Sequence, residues 1–454
     1  MRGKVVDLCP RMTIPHYCSN DIITKMTGMS EVIAMNHLEE LLDKFSEIPR
    51  SAVIKADLIM QGMRYTPILK EIGQWSLPQT HGCYEYDHED LHTKDDATEG
   101  WIEIPFECRL SNDTTYSIMI MDSNSPYEIR GEDGKYMLCL EGNPIEEVTF
   151  SPRPKWYSRR TSNGTLMSKV ASQFGDAFTV MCINYCEYFK TDDACLFCCL
   201  NPTTDRSKEL GIDRAIGRNI DDVIQTCAEA SKESRHMVLG GGGIIDRKKE
   251  ASMYIKMLTA LREAGYQPED LTITSQALDE DDARKLYDLG VRGPVVYAME
   301  VWQENLWPII VPGKSKFVGR DKWIDCLLKA VEIFGRGNVK TNFVAGCEMA
   351  PPYGFKDIDE ALESTLGCFE WLAQRGIIPR FTFWSNNPGS RFKLENVEPP
   401  PSEYYLKLGS GQHKLLIKYD LSLPEDRCHI CNVGEIHYDF MRLVGKPTST
   451  AKVD

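Results

Sequence analysis

Two hydrophobic periods alternate along the last two thirds of this chain. Short apolar, β-branched runs give way to stretches with apolar residues every third or fourth position. Phe178–Ile183, Met237–Gly240, Leu271–Thr274, Val295–Met299, Lys340–Ala345 and Arg380–Trp384 read as strands. Ile220–Lys232, Lys249–Ala264, Asp281–Leu289, Lys322–Phe334 and Ile358–Gln374 read as the helices between them. Such βα repeats imply parallel strands joined by crossover helices. The expected fold class is α/β, a TIM-type (βα) barrel or a partial (βα)6 barrel. Ligand sites then lie at the C-terminal ends of the strands.

The first third has a different rhythm. Residues 1 to about 75 read as mostly helical, with helix-period apolar spacing and no Pro or Gly over Glu31–Ile48. Trp101–Leu110 and Tyr116–Asp122 alternate or run apolar, and SND, NSP and GEDGK mark turns between strands. Residues 1–155 are expected to form an α+β accessory domain, with Ser151–Trp156 as a linker. Residues 156–405 would be the barrel, closed by the Pro-rich Glu398–Tyr405. Residues 406–454 would be a short C-terminal tail carrying a Cys pair.

Composition narrows the picture. An apolar share of 42% supports a real core. A net charge of −15 argues against nucleic-acid or anionic-membrane binding by bulk electrostatics, leaving only a local basic patch at Lys155, Arg159, Arg160 and Lys169. No apolar run reaches the roughly 20 residues that span a bilayer. The opening MRGKVVDLCP lacks the apolar core of a secretion signal, so the cytoplasm is the expected compartment. Sixteen cysteines would then be reduced and available to metal. Cys227, Cys326, Cys347 and Cys368 sit singly in apolar or helical stretches and read as small buried hydrophobes.

Five cysteines crowd between Cys182 and Cys199. Cys186, Cys195 and Cys198 make a C-x8-C-x2-C pattern, with Phe197 just before the last thiol. Three thiolates that meet in space can hold three irons of a [4Fe-4S] cluster and leave the fourth open. Taken alone, the run also reads as a zinc knuckle or as core cysteines. After the second strand comes Gly240-Gly241-Gly242-Gly243, bare backbone whose carbonyls a ligand amine can approach. Glu300 ends the fourth strand and Arg320 opens the next helix. An acid and an Arg together suit a zwitterionic ligand. Near the end, Cys428 and Cys431 form a C-x2-C half-site for an auxiliary Fe-S cluster or a structural zinc.

In this order the segments resemble the radical S-adenosylmethionine (SAM) superfamily, and within it the biotin-synthase-like branch that includes the [FeFe]-hydrogenase maturase. The family's usual C-x3-C-x2-C is matched in its second half only. The glycine run is followed by Ile244 where the family has Glu. The resemblance implies a [4Fe-4S] cluster on Cys186, Cys195 and Cys198. It implies SAM held by Phe197, Gly240–Gly243, Glu300, Arg320 and Val344, with Asn342–Gly346 and Arg380–Ser385 on the adenine side. The implied activity is reductive cleavage of SAM to a 5′-deoxyadenosyl radical that takes hydrogen from a small-molecule or cofactor-precursor substrate. Cofactor biosynthesis or metal-cofactor maturation, a ferredoxin or flavodoxin as electron donor and an anaerobic setting go with it. Lys155–Thr165 resembles lead-in segments that bind an anionic substrate or cover the mouth. Two other readings compete: a non-catalytic zinc or Fe-S protein using Cys195, Cys198, Cys428 and Cys431, and a barrel lyase with Lys314 as its amine.

Overall fold

The computed structural model describes residues 37–79, 94–95, 100–101, 103–111, 115–175, 177–209, 219–234, 236–266, 270–421 and 433–443. Helices α1 (Arg50–Gln61) and α2 (Pro67–Gly73) precede a five-stranded antiparallel sheet. Its strands are β1 (Glu107–Leu110), β2 (Tyr116–Ile118), β3 (Tyr127–Glu132), β4 (Lys135–Leu140) and β5 (Asn143–Thr149), in the order β2-β1-β5-β4-β3. Two hairpins turn on adjacent residues of positive φ, Asp133-Gly134 and Glu141-Gly142, which matches the right-handed twist of the strands they join.

A seven-stranded sheet follows: β6 (Ser172–Phe174), β7 (Ala177–Ile183), β8 (His236–Gly241), β9 (Asp270–Ser275), β10 (Val295–Tyr297), β11 (Val339–Ala345) and β12 (Ile377–Phe383). The strands lie in sequence order; β6 is antiparallel to β7 and every later pair is parallel. All six strands expected from the sequence are present. Among the described residues β12 pairs only with β11, so the barrel is partial, an open (βα)6 arc.

The helices α3 (Leu200–Glu209), α4 (Ile220–Ala230), α5 (Arg247–Glu263), α6 (Glu280–Asp288), α7 (Arg320–Phe334) and α8 (Ile358–Gln374) run between these strands. Three of them start on side-chain caps: Asn219, Asp246 and Asp357 accept backbone N–H groups of the first turn. Alternation along the strands sorts the two faces. Phe178, Val180, Met237, Leu239, Ile273, Phe343 and Phe381 are buried. Thr179, Met181, Val238, Thr272, Thr274, Asn342, Val344 and Thr382, one residue out of step, are half-exposed. The inner wall of the arc is thus mixed and partly polar, while the apolar set packs beneath the helices.

The N-terminal domain is fused to this arc. Helix α1 is buried along Ser51–Ile59: Ala52, Val53 and Ala56 join the barrel core, and Ile54 and Leu58 join the domain's own core. Its apolar residues lie on two sides, so two cores cover it. Buried Asp57 accepts from Ser402 Oγ at 2.8 Å and from Tyr127 Oη at 2.7 Å, and Lys55 pairs with Asp439 at 2.7 Å.

Three expectations are corrected. Ser151–Trp156 is no free linker: the Ser151 carbonyl accepts from Leu77 N and Ser76 Oγ, and Trp156 is buried in the barrel core. The boundary at 405 falls inside helix α9 (Ser402–Lys418), whose Tyr404 and Tyr405 are fully buried, so the barrel's last helix runs past it. Lys155–Thr165 lies along α4, with Arg159 paired to Glu229 and Thr165 to Asp222, so it covers the outside of the arc. No helix of the described residues is long and apolar enough to cross a membrane.

Candidate functional site

The chain leaving β7 makes a loop from Asn184 to Cys199, fastened by backbone hydrogen bonds on three sides. Gly242 N donates to the Ile183 carbonyl at 2.9 Å, and Glu187 N to the Gly243 carbonyl at 2.8 Å. Leu196 N donates to Ile310 O at 3.0 Å and Gly313 N to Asp193 O at 2.8 Å. Phe392 N donates to Leu196 O at 3.0 Å. The loop therefore touches the segments that follow β8, β10 and β12, all at the C-terminal end of the arc. Asn201 brackets Cys186, accepting from its N–H at 2.7 Å and donating to its carbonyl at 3.0 Å.

Cys186 is buried; Cys195, Cys198 and Cys199 are half-exposed. Cys198 lies within electrostatic reach of Cys195 and Cys186, and Cys195 within reach of Cys186. Burial pushes the Cys195 thiol up to about 12, with the Lys314 ammonium opposing the shift and Glu300 adding to it. Burial also raises Cys186 and Cys198. These thiols are protonated at neutral pH, and metal binding would replace their protons. Cys182 is inside β7 on the buried face, next to Cys227 under the helices.

Among the described residues, no three His, Cys, Asp or Glu side chains converge as a single ion requires. A [4Fe-4S] cube holds its thiolates at separated corners, and an all-sulfur donor set suits iron–sulfur chemistry. The three thiols of the loop fit that group. Cys428 and Cys431 lie outside the described residues, and with them half of the four-cysteine zinc site.

The glycine run has a packing reason. A Cβ on Gly241 would sit 2.4 Å from the Ile183 carbonyl oxygen, and one on Gly242 2.2 Å from that of Tyr185. These two glycines let β8 close against the root of the cysteine loop. Gly240 has room for a methyl, its nearest neighbour being 3.7 Å away. The Gly243 carbonyl is taken by Glu187 N.

Glu300 and Arg320, expected to form a zwitterion clamp, each have a partner within the protein. Glu300, at φ +70°, pairs with Lys314 at 2.7 Å, and Lys314 Nζ also donates to Ala298 O at 2.6 Å. Burial works to lower the Lys314 pKa, but Glu300 and the Cys195 thiol outweigh it and hold the amine above its usual range. A lysine so fixed as an ammonium is a poor Schiff-base nucleophile, which argues against the lyase reading. Arg320 donates Nε to the Trp302 carbonyl at 2.8 Å and lies 4.3 Å over the Trp302 ring. Val344 is half-exposed on the inner wall, and its N–H meets the Glu300 carbonyl at 3.0 Å. Phe197 is partly buried against the barrel core.

Sequence reasoning missed a buried carboxylate. Glu250, in the first turn of α5, accepts from Ile244 N and Gln276 N, each at 2.9 Å, and from Gln276 Nε2 at 2.6 Å. Gln276 also donates to Ile244 O at 2.8 Å and accepts from Tyr188 Oη of the cysteine loop. Tyr188 in turn stacks on Phe317 at 5.7 Å. Burial raises the Glu250 pKa, and its hydrogen bonds pull the other way. The only local signal was an acid four residues after the Asp246 cap. One carboxylate thus ties the glycine run, the end of β9 and the cysteine loop together.

No protein-family profile matches the sequence, and no curated protein sequence does. Solved structures give likenesses at low identity. The [FeFe]-hydrogenase maturase HydG of Carboxydothermus hydrogenoformans aligns over 53% of this chain and 51% of its own, at 14% identity and a TM-score of 0.39. The chain thus spans about half the length of that maturase. A radical SAM methyltransferase of Sphaerobacter thermophilus aligns over 69% of this chain and 82% of its own, at 14% identity and a TM-score of 0.37. Methylornithine synthase aligns over 61% and 84%, at 13% identity and a TM-score of 0.35.

Proposed function

We propose that this protein is a radical SAM enzyme whose [4Fe-4S] cluster is held by Cys186, Cys195 and Cys198. One observation carries the reading: a single loop bearing three thiols within electrostatic reach of one another is hydrogen-bonded to the segments after β8, β10 and β12 at the C-terminal end of a parallel arc. When bound, a cluster with one open iron supplies the electron that splits SAM into methionine and a 5′-deoxyadenosyl radical. The chain's own contribution is placement. Asn201 and the turn from Cys195 to Cys198 set the thiols. Lys314, held by Glu300, puts a positive charge beside a centre that becomes anionic when its thiols lose their protons. Exposed Gly241 leaves main chain open to the amine of SAM. The half-exposed inner wall, from Thr179 to Thr382, is the space for adenosine and substrate. A ferredoxin or flavodoxin is the expected electron donor, and a small molecule or cofactor precursor the expected substrate.

Anaerobic reconstitution with iron and sulfide tests this. A brown protein is expected, with a [4Fe-4S] electron paramagnetic resonance signal that changes on SAM addition. Under reductant, 5′-deoxyadenosine should accumulate and should vanish in Cys186→Ala, Cys195→Ala and Cys198→Ala. A colourless zinc protein, or a cluster that survives all three changes, would sink the assignment.

A further inference from the structure

A buried lysine stands against the cysteine loop. Lys314 belongs to the short helix Pro312–Phe317. That helix is locked to the loop: Gly313 N donates to the Asp193 carbonyl at 2.8 Å, and a Cβ on Gly313 would lie 2.5 Å from Cγ of Tyr188. Just upstream, the Ile310 carbonyl accepts from Leu196 N, between Cys195 and Cys198.

Three groups hold the ammonium. Lys314 Nζ donates to Ala298 O at 2.6 Å and to Glu300 Oε1 at 2.7 Å, and it lies 4.8 Å from the centroid of the buried Trp323 ring. Glu300 is itself fixed. Its φ of +70° is a strained conformation for a residue with a side chain, and β11 pins its backbone on both sides. Its N–H donates to Asn342 O at 2.9 Å, and its carbonyl accepts from Val344 N at 3.0 Å.

Replacing a buried ion pair by apolar residues is often neutral or stabilising, so this pair calls for a reason other than stability. Its neighbours supply one. Cys195 and Cys186 both lie within electrostatic reach of Lys314, and at Cys195 the lysine acts more strongly than Glu300. Glu250 lies within reach of Lys314 and of Cys186. Lys190, Lys249 and Lys316 around the same loop are exposed to water, where dissolved ions screen them. From the thiols the pair is therefore not neutral, because its positive member dominates.

We propose that Lys314 and Glu300 form a charge pair that sets the reduction potential of the cluster, Lys314 raising it and Glu300 holding the lysine and moderating its effect. The proposal rests on the radical SAM reading for the cluster itself. Reduction takes one electron from an external low-potential donor and converts [4Fe-4S]2+ to [4Fe-4S]+, with no bond made or broken. With three thiolates attached, the centre becomes more negative by one charge. A fixed ammonium nearby favours that state, by about tenfold in the equilibrium for a unit charge in a partly shielded setting.

The test is a redox titration of the full reconstituted chain without SAM, with dithionite as reductant and the electron paramagnetic resonance signal of the reduced cluster as readout. At the potential that half-reduces the parent, Lys314→Met should show about tenfold less reduced relative to oxidised cluster, a midpoint about 59 mV lower for one electron. Glu300→Gln should raise the midpoint, and Lys314→Arg, which keeps the charge, should stay near the parent. A loosened loop would not move the two neutralised variants in opposite directions. Should Lys314→Met take up no cluster, Glu300→Gln decides alone, and a lowered or unchanged midpoint overturns the proposal. Equal midpoints throughout, or shifts of the same sign in Lys314→Met and Glu300→Gln, overturn it while the cluster reading stands. A parent that takes up no [4Fe-4S] cluster removes that reading, and the proposal with it.

Discussion

Glu250 shows how much one buried side chain can organise. It accepts three hydrogen bonds, two of them from backbone N–H groups that have no strand partner at that point. Glu250→Ala would strand those donors, at about 3 kcal/mol in all. Glu250→Gln keeps one acceptor oxygen and should lose less. Urea unfolding of the metal-free protein measures both, and iron per chain after reconstitution should fall in the same order, because Tyr188 and Ile244 lose their common anchor. Equal stability of Glu250→Ala and the parent would show that the network is incidental. Nothing in the sequence around Lys249-Glu250-Ala251 announces this, since an acid in a first helical turn is ordinary. Its meaning comes from Gln276, which arrives from the next repeat. Glu300 was legible as a strand-end acid for the opposite reason, that its position is local. Its partner was not legible: a carboxylate at the mouth can face a ligand or Lys314, and only the path of residues 307–317 selects the lysine.

At the scale of elements, the strands and helices of the arc were readable because a period of two or of about 3.6 is written in neighbouring residues. The glycine run was readable as an unusual strand end, but its packing role was not. Two of its four members are glycine because β8 packs on the backbone of Ile183 and Tyr185, as well as for any ligand. The four positions should therefore differ. Gly242→Ala forces backbone to move beside Cys186, whose nitrogen is 2.8 Å from the new carbon, and should cost roughly 1–3 kcal/mol and much of the iron content. Gly240→Ala meets only ordinary contacts and should leave both near the parent values. Thermal melts and iron analysis of the pair distinguish packing from a uniform need for bare backbone. The misread boundary at residue 405 is of the same kind: Pro399-Pro400-Pro401 stops one element, yet Ser402–Lys418 resumes as a helix that belongs to the same body.

At the scale of the whole molecule, the open side of the arc is where helix α1 meets the last described segment, residues 433–443. Helix α10 (His437–Leu443) brings Asp439 to Lys55 and Tyr438 to Lys340, while Glu435 pairs with Arg380 of β12. His437 is fully buried among these groups. Burial first, then Arg380, Lys340 and Lys55, hold its pKa well below 6.5, with Glu435 as the nearby acid. The sign follows from proton counts. The folded imidazole stays neutral while the unfolded one binds a proton below 6.5, so its contribution is complete above that pH and declines as the pH falls. His437→Gln should flatten the loss of stability between pH 6.5 and 5, read as urea midpoints at several pH values. An unchanged slope would assign that loss to carboxylates elsewhere.

What was readable in the order of residues was whatever neighbours in the chain decide together: six strand–helix repeats, the strands of the first third, and a loop with thiols placed where a first parallel strand ends. Those features depend on local spacing, and backbone hydrogen bonding turns local spacing into structure with little outside help. Folding in three dimensions chose the rest. It set Lys314 against Glu300, gathered Tyr188, Glu250 and Gln276 around one carboxylate, and buried α1 between two cores. Most of these join segments far apart in sequence, and such pairings are selected by packing and desolvation of the entire chain, which no short window of residues contains.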